Sequence, residues 1–189
     1  MKIAKLMFLC LLSITLLCSC TPEPKTHEEK IKELYSTFSD IKGFSLTADI
    51  DGGERGDFLV KMTYECENFS KVEVMSPDFM RGFTLTLFAD KMVLGSDGSC
   101  YELKKEMASS PASMALIMSP VLYDLIKTGS IDFSDDGGTF ILSGNYAVDK
   151  LEVSLRAVFD ADLMVPASIT VTAGALKITA EISDFTILT

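Results

Sequence analysis

The 189-residue chain carries 27 acidic side chains against 17 basic ones, has no tryptophan, and is 48% hydrophobic. That acidity repels phosphate and leaves no basic face to read bases, so nucleic acid is excluded as a partner. The length fits a single domain with a sizeable core once a leader is set aside.

Lys2 and Lys5 form a basic start, an apolar run from Leu6 to Leu17 follows, and Thr21-Pro22-Glu23-Pro24 breaks the pattern. This is the layout of a secretory signal, with an uncleaved signal anchor as the alternative. The run is about a dozen residues, short of the roughly 20 that a membrane-spanning helix needs. Leu17-Cys18-Ser19-Cys20 resembles the lipobox of bacterial lipoproteins. That resemblance implies removal of residues 1–19, a diacylglyceryl group on Cys20, and a domain exported and anchored to a bacterial membrane. Cys18 fits less well, because Leu17 would then hold the small-residue cleavage position. Two acyl chains convert marginal membrane contact into stable anchoring. Loss of Lys2 and Lys5 leaves 15 basic side chains against 27 acidic ones, so the anchor and not surface charge holds the body beside lipid. The organisation expected is a signal peptide over 1–19, a lipidated cysteine and tether over 20–26, and one domain over 27–189. Six tether residues reach at most about 20 Å.

A first helix is predicted over 27–41. Thr26 and Glu29 make a capping box, and Ile31, Leu34, Tyr35, Phe38 and Ile41 form an apolar stripe. Glu28, Glu29, Lys30, Lys32 and Glu33 supply the wet face. Strand alternation then covers 44–50, and Gly52-Gly53 turns the chain into 57–66 and 69–75. Ser76-Pro77 ends that run. Phe79 and Met80 follow, either as an exposed apolar loop that touches a membrane or partner, or packed inward at the sheet edge. A hairpin over 83–88 and 91–95 leads through Asp97-Gly98 into Cys100-Tyr101-Glu102-Leu103.

The period changes at Ser110-Pro111, a capping serine followed by a first-turn proline. Met114, Ile117, Met118, Val121, Leu122, Leu125 and Ile126 share one helical face, which reads as core packing against the sheet, though its methionines would also suit a deformable lipid cavity; Ser119-Pro120 splits or kinks it. Strands resume over 130–134, 138–144, 150–159, 165–173 and 175–183, with an extension to Ile187. Asp135 to Gly138 and Ala173-Gly174-Ala175 read as turns. About ten strands with two helical regions exclude βαβ winding and point to a long antiparallel meander that curls into an incomplete barrel.

This order of elements resembles the LolA/LolB-like superfamily of periplasmic lipoprotein carriers and outer-membrane lipoprotein receptors, over roughly residues 27–188. Ser96-Asp97-Gly98 with Tyr101, and Phe159-Asp160 with Val165-Pro166-Ala167-Ser168-Ile169, are similar to that family's sheet turns. The resemblance implies a mainly β (α+β) fold: a strongly curved antiparallel sheet, covered by helices, around an apolar cavity that receives acyl chains. Met62, Leu85, Met114, Met118 and Leu122 are the wall candidates. The function expected is reversible binding of an apolar ligand, an acyl chain or lipoprotein lipid moiety, by a membrane-anchored lipoprotein. The alternative is an envelope scaffold or sensor that binds a protein through sheet-edge loops.

No phosphate-binding glycine loop, serine-hydrolase elbow or zinc-protease histidine pair is present, so no catalytic residue, metal or cofactor is assigned. His27 is the sole histidine and reads as a helix-start surface residue. Asp135 and Asp136, and likewise Asp160 and Asp162, read as turn residues and not as calcium ligands. Cys66 and Cys100 lack zinc spacing and are either a disulfide or two small apolar fillers.

Overall fold

The computed structural model describes residues 25–51, 56–104, 110–134, 138–148 and 151–189. Cys20 and the leader, the Gly52-Gly53 turn, Asp135 to Gly137 and the start of the predicted 150–159 strand lie outside them.

Helix α1 spans His27–Ser39. Its capping box is formed: Glu29 N donates to Thr26 Oγ1 at 3.3 Å, and Thr26 N donates to the Glu29 carboxylate at 2.8 Å. The Thr26 hydrogen bonds hold the Glu29 carboxyl below its usual range. Leu34 and Phe38 are buried as predicted. Two predictions are corrected. Tyr35 is 40% exposed, and Lys30, assigned to the wet face, is buried with its Nζ 3.4 Å from Asp162. A long stem crosses apolar surface while its ammonium reaches an exposed partner, so Lys30 serves the covered face as well as an aliphatic residue would.

Among the described residues eleven strands follow in one sheet: β1 Gly43–Ile50, β2 Phe58–Glu65, β3 Phe69–Ser76, β4 Thr84–Leu87, β5 Met92–Ser96, β6 Ser99–Leu103, β7 Ser130–Phe133, β8 Thr139–Val148, β9 Leu151–Asp160, β10 Pro166–Ala173 and β11 Leu176–Leu188. The order is β6-β5-β4-β3-β2-β1-β11-β10-β9-β8-β7, and every pairing is antiparallel. Two meanders are therefore joined in the middle by the first and last strands. Helix α2, Pro111–Thr128, carries the chain from the edge strand β6 to the opposite edge strand β7. Gly43 lets the centre close: a Cβ there would stand 1.9 Å from the Tyr64 carbonyl oxygen.

One helix serves as the core filling. Ser70 on β3 bonds the Leu116 carbonyl, and Leu125 lies against Gly144 on β8, where a Cβ would come within 2.8 Å of Leu125 Cδ1. β3 and β8 are six strand steps apart, roughly 29 Å in a flat sheet. Nine residues of helix rise only about 14 Å. The sheet therefore bends round α2 into an incomplete barrel, the architecture that the family resemblance implied. α2 is a single helix with Pro120 inside it, and Ser110 caps it by accepting from Ser113 N at 3.2 Å.

The concave face is apolar and the convex face polar, as period-two alternation requires. Val153, Leu155, Ala157 and Phe159 are buried on β9, while Glu152, Ser154 and Arg156 are exposed. α1 closes one end of the bent sheet: Phe38 meets Phe185 at 6.0 Å between ring centroids, and His27 stacks on Phe133 at 4.0 Å.

Candidate apolar ligand site

The registers of the first meander align a single row of inward side chains: Leu46, Met62, Val72, Leu85, Leu94 and Tyr101, one from each of β1 to β6. Exposure rises along that row. Leu46 and Met62 are sealed, Val72 is 8% exposed, Leu85 and Leu94 are half-buried, and Tyr101 is 58% exposed. α2 covers the beginning of the row, and past it the sheet's inner face is left over.

A cavity of about 350 Å³ occupies that place. Ile50, Phe58, Val60, Val72, Val74, Leu85 and Leu94 form its sheet wall, with Thr84 beside them. The first turns of α2 form the facing wall through Ser110, Pro111, Ala112 and Ala115. Met80 and Phe83, from the β3–β4 connection, are the other described residues of the lining. No charged side chain is among these residues. An ionised group would be costly inside, whereas hydrocarbon would find few unsatisfied polar atoms to desolvate.

Of the five wall candidates, the structure brings only Leu85 to the cavity. Met62, Met114, Met118 and Leu122 are completely buried in the packing between α2 and the sheet. Met62 Sδ accepts a long hydrogen bond from Ser119 Oγ at 3.9 Å. The methionines thus fill the barrel interior. The residues missed include the small ones, Ala112 and Ala115, and, besides Leu85, the inward residues of β3 to β5. Period-two alternation marks the latter, and Ala at helix positions three apart marks the former.

The apolar loop pair divides. Phe79 is 80% exposed, and Met80 is half-buried in the cavity lining. Arg81, next in sequence, pairs with Asp78 and donates through Nε to the Met75 carbonyl at 3.1 Å.

The two body cysteines are free thiols. Cys66 lies just past β2 and Cys100 on the edge strand β6, four strand steps away along the sheet, and no bond joins them. Cys66 is half-buried with its thiol 3.6 Å from the Ile41 carbonyl, and Cys100 is exposed on the convex side. The disulfide reading is therefore corrected, and the filler reading holds for neither fully, since Cys100 is at the surface.

Titration chemistry gathers elsewhere. Burial pushes the Tyr64 hydroxyl up to about 12, with the nearby Cys66, Asp124 and Tyr123 adding to the rise. Its ring lies 5.6 Å from that of Tyr123, over which Lys127 Nζ stands at 3.8 Å, and the Tyr123 contact raises the Lys127 ammonium above its usual range. Asp160 is a turn carboxylate: its Oδ1 accepts from Asp162 N at 2.9 Å and Leu163 N at 2.8 Å. Among the described residues no cluster of three His, Cys, Asp or Glu side chains is placed to hold a metal. Among them, too, no helix is long and apolar enough to cross a membrane.

No protein-family model and no curated protein matches the chain. Several solved structures do. A LolA superfamily protein from Nitrosomonas europaea matches with a TM-score of 0.43 and 8% identity, over 88% of this chain and 94% of that one. The structure of the CwlD amidase from Clostridioides difficile in complex with the GerS lipoprotein matches with a TM-score of 0.43 and 18% identity, over 88% of this chain and 98% of that one. The Mycobacterium tuberculosis lipoprotein LppX matches with a TM-score of 0.40 and 11% identity, over 82% of this chain and 92% of that one.

Proposed function

We propose that the protein is an exported lipoprotein, anchored to a membrane through Cys20, that reversibly holds an apolar ligand such as an acyl chain or the lipid moiety of another lipoprotein. The observation that carries this reading is the cavity of about 350 Å³ with no charged side chain among the described residues that line it. Each methylene moved from water into such a space is favoured by about 0.8 kcal/mol. The wall on one side is a helix start and not a paired strand, so it can move aside without breaking a ladder of the sheet. The role needs no catalytic group and no cofactor.

The test uses the chain with Cys20→Ser, exported and purified from the soluble fraction, with its bound lipid removed. Fluorescent fatty acid should titrate to saturation at one site, and native mass spectrometry should show a one-to-one complex. Absence of saturable uptake rejects the proposal. For the anchor, the unchanged chain should fractionate with membranes and Cys20→Ser should not.

A second reading, an envelope scaffold or sensor, is favoured by one specific feature. The edge strand β6 is exposed at every residue, and Phe79 stands nearly free. Crosslinking in intact cells should then recover one repeatable protein partner, lost when Phe79 is replaced by serine.

A further inference from the structure

The cavity has a closed end and an open end. Four of its lining residues are buried: Ile50 at 5%, Val60 at 3%, Val72 at 8% and Ala115 at 5%. The others, such as Leu85, Leu94 and Ala112, are half-buried or exposed. Just past the closed end the interior is plugged. Met62, paired across the ladder with Val72, and Met118, one helical turn beyond Ala115, are both fully sealed. Ser119 ties the plug together by donating to Met62 sulfur.

We infer that Ala115, set against Ile50, Val60 and Val72 and backed by the Met62–Ser119 plug, fixes the length of hydrocarbon chain that the cavity accepts. The inference rests on the apolar-ligand reading above. A methylene takes about the room of one water in the liquid, roughly 30 Å³. A space of 350 Å³ therefore holds a single chain of about twelve carbons. Carbons beyond that number stay at the open end, in water, and add no binding. A polar or charged head group stays there too, since the described lining residues carry no charge to meet it. Leucine in place of Ala115 adds three carbons at the closed end and removes room for about three methylenes. Leucine in place of Ala147, an exposed residue of β8 outside the lining, leaves the cavity as it was.

The experiment measures dissociation constants for saturated fatty acids of increasing length on the Cys20→Ser chain and on its Ala115→Leu and Ala147→Leu derivatives. Affinity should climb about fourfold per methylene and then level off near about twelve carbons. In Ala115→Leu the plateau should begin about three carbons earlier, and in Ala147→Leu it should not move. An affinity that keeps rising with length, or a plateau unmoved by Ala115→Leu, overturns the inference and leaves apolar-ligand binding standing. Failure of every fatty acid to bind overturns both. Far-ultraviolet circular dichroism checks that the variants fold; if Ala115→Leu does not, the length series on the parent chain decides alone, because a rise without a plateau excludes a closed end.

Discussion

Ser70 Oγ donates a 2.7 Å hydrogen bond to the carbonyl of Leu116, the carbonyl whose helical donor would be the N–H that Pro120 lacks. A proline in the middle of a buried helix orphans one acceptor and denies it water, so the acceptor must be satisfied by another element. β3 supplies that partner. The same bond fixes where α2 sits on the sheet, and with it the position of Ala115 one residue earlier. Replacing Ser70 by alanine leaves a buried carbonyl unpaired, at a cost of about 1–3 kcal/mol. Replacing Pro120 by alanine restores the helical N–H. In a double-mutant cycle read by urea denaturation, Ser70→Ala should cost clearly less in the Pro120→Ala background. Equal costs in both backgrounds would mean that Ser70 acts by packing and not by repairing the helix.

The pairing of β1 with β2 depends on Gly43. Its missing side chain leaves space that the Tyr64 backbone occupies, with 1.9 Å between the Tyr64 oxygen and any added Cβ. That atom belongs to the β1–β2 ladder and cannot turn aside as a side chain could. Gly43→Ala should destabilise the protein by about 3 kcal/mol or more, above the usual range for overpacking. Gly174→Ala, where nothing lies within 4 Å but φ is +59°, should cost only the left-handed backbone strain, about 1 kcal/mol. Thermal melts of the two variants distinguish the cases, and a similar loss in both would refute the ladder clash.

Much of this arrangement can be read from the sequence because it is local. The Thr26–Glu29 capping box, the Ser110-Pro111 helix start and the clean alternation over Leu151 to Phe159 each depend on neighbours within a few positions, and each is realised. What could not be read is which apolar face meets empty space. Met114, Met118 and Leu122 have the same spacing whether they line a cavity or fill one, and the bend of the sheet round α2 decides for filling. Lys30 is covered because Asp162, 132 positions away, receives its ammonium. The cavity itself follows from two alanines on a helix and from a row of six strands in register, of which only the alanines are local.

Stability at high pH should report on Tyr64. Burial pushes its hydroxyl up to about 12, above the value near 10 of an exposed tyrosine. The folded state thus keeps a proton that the unfolded chain gives up between those values. The stabilisation from the neutral phenol is fully present below about pH 10 and is lost as pH rises towards about 12. The difference between the parent and Tyr64→Phe isolates this group from the rest of the chain. Urea-derived stabilities at stepped pH should show the parent falling more steeply than Tyr64→Phe over that window. Parallel curves would show that Tyr64 titrates as if exposed.

Phe79 offers the sharpest separation of the two functional readings, because it is next to the cavity in sequence yet absent from its lining. It is 80% exposed, while its neighbour Met80 faces the cavity. A residue with so little contact contributes little to folding, so Phe79→Ser should change stability by no more than about 0.5 kcal/mol. On the ligand reading, fatty-acid affinity in the soluble chain should be unchanged by Phe79→Ser and weakened by Leu85→Ser, which puts a hydroxyl into the apolar wall. On the scaffold reading, Phe79→Ser should abolish capture of the protein partner in cells and Leu85→Ser should not. The same two variants, each assayed for ligand affinity and for partner capture, therefore give opposite patterns. Loss of fatty-acid binding in Phe79→Ser, with folding intact, would contradict the placement of that side chain outside the site.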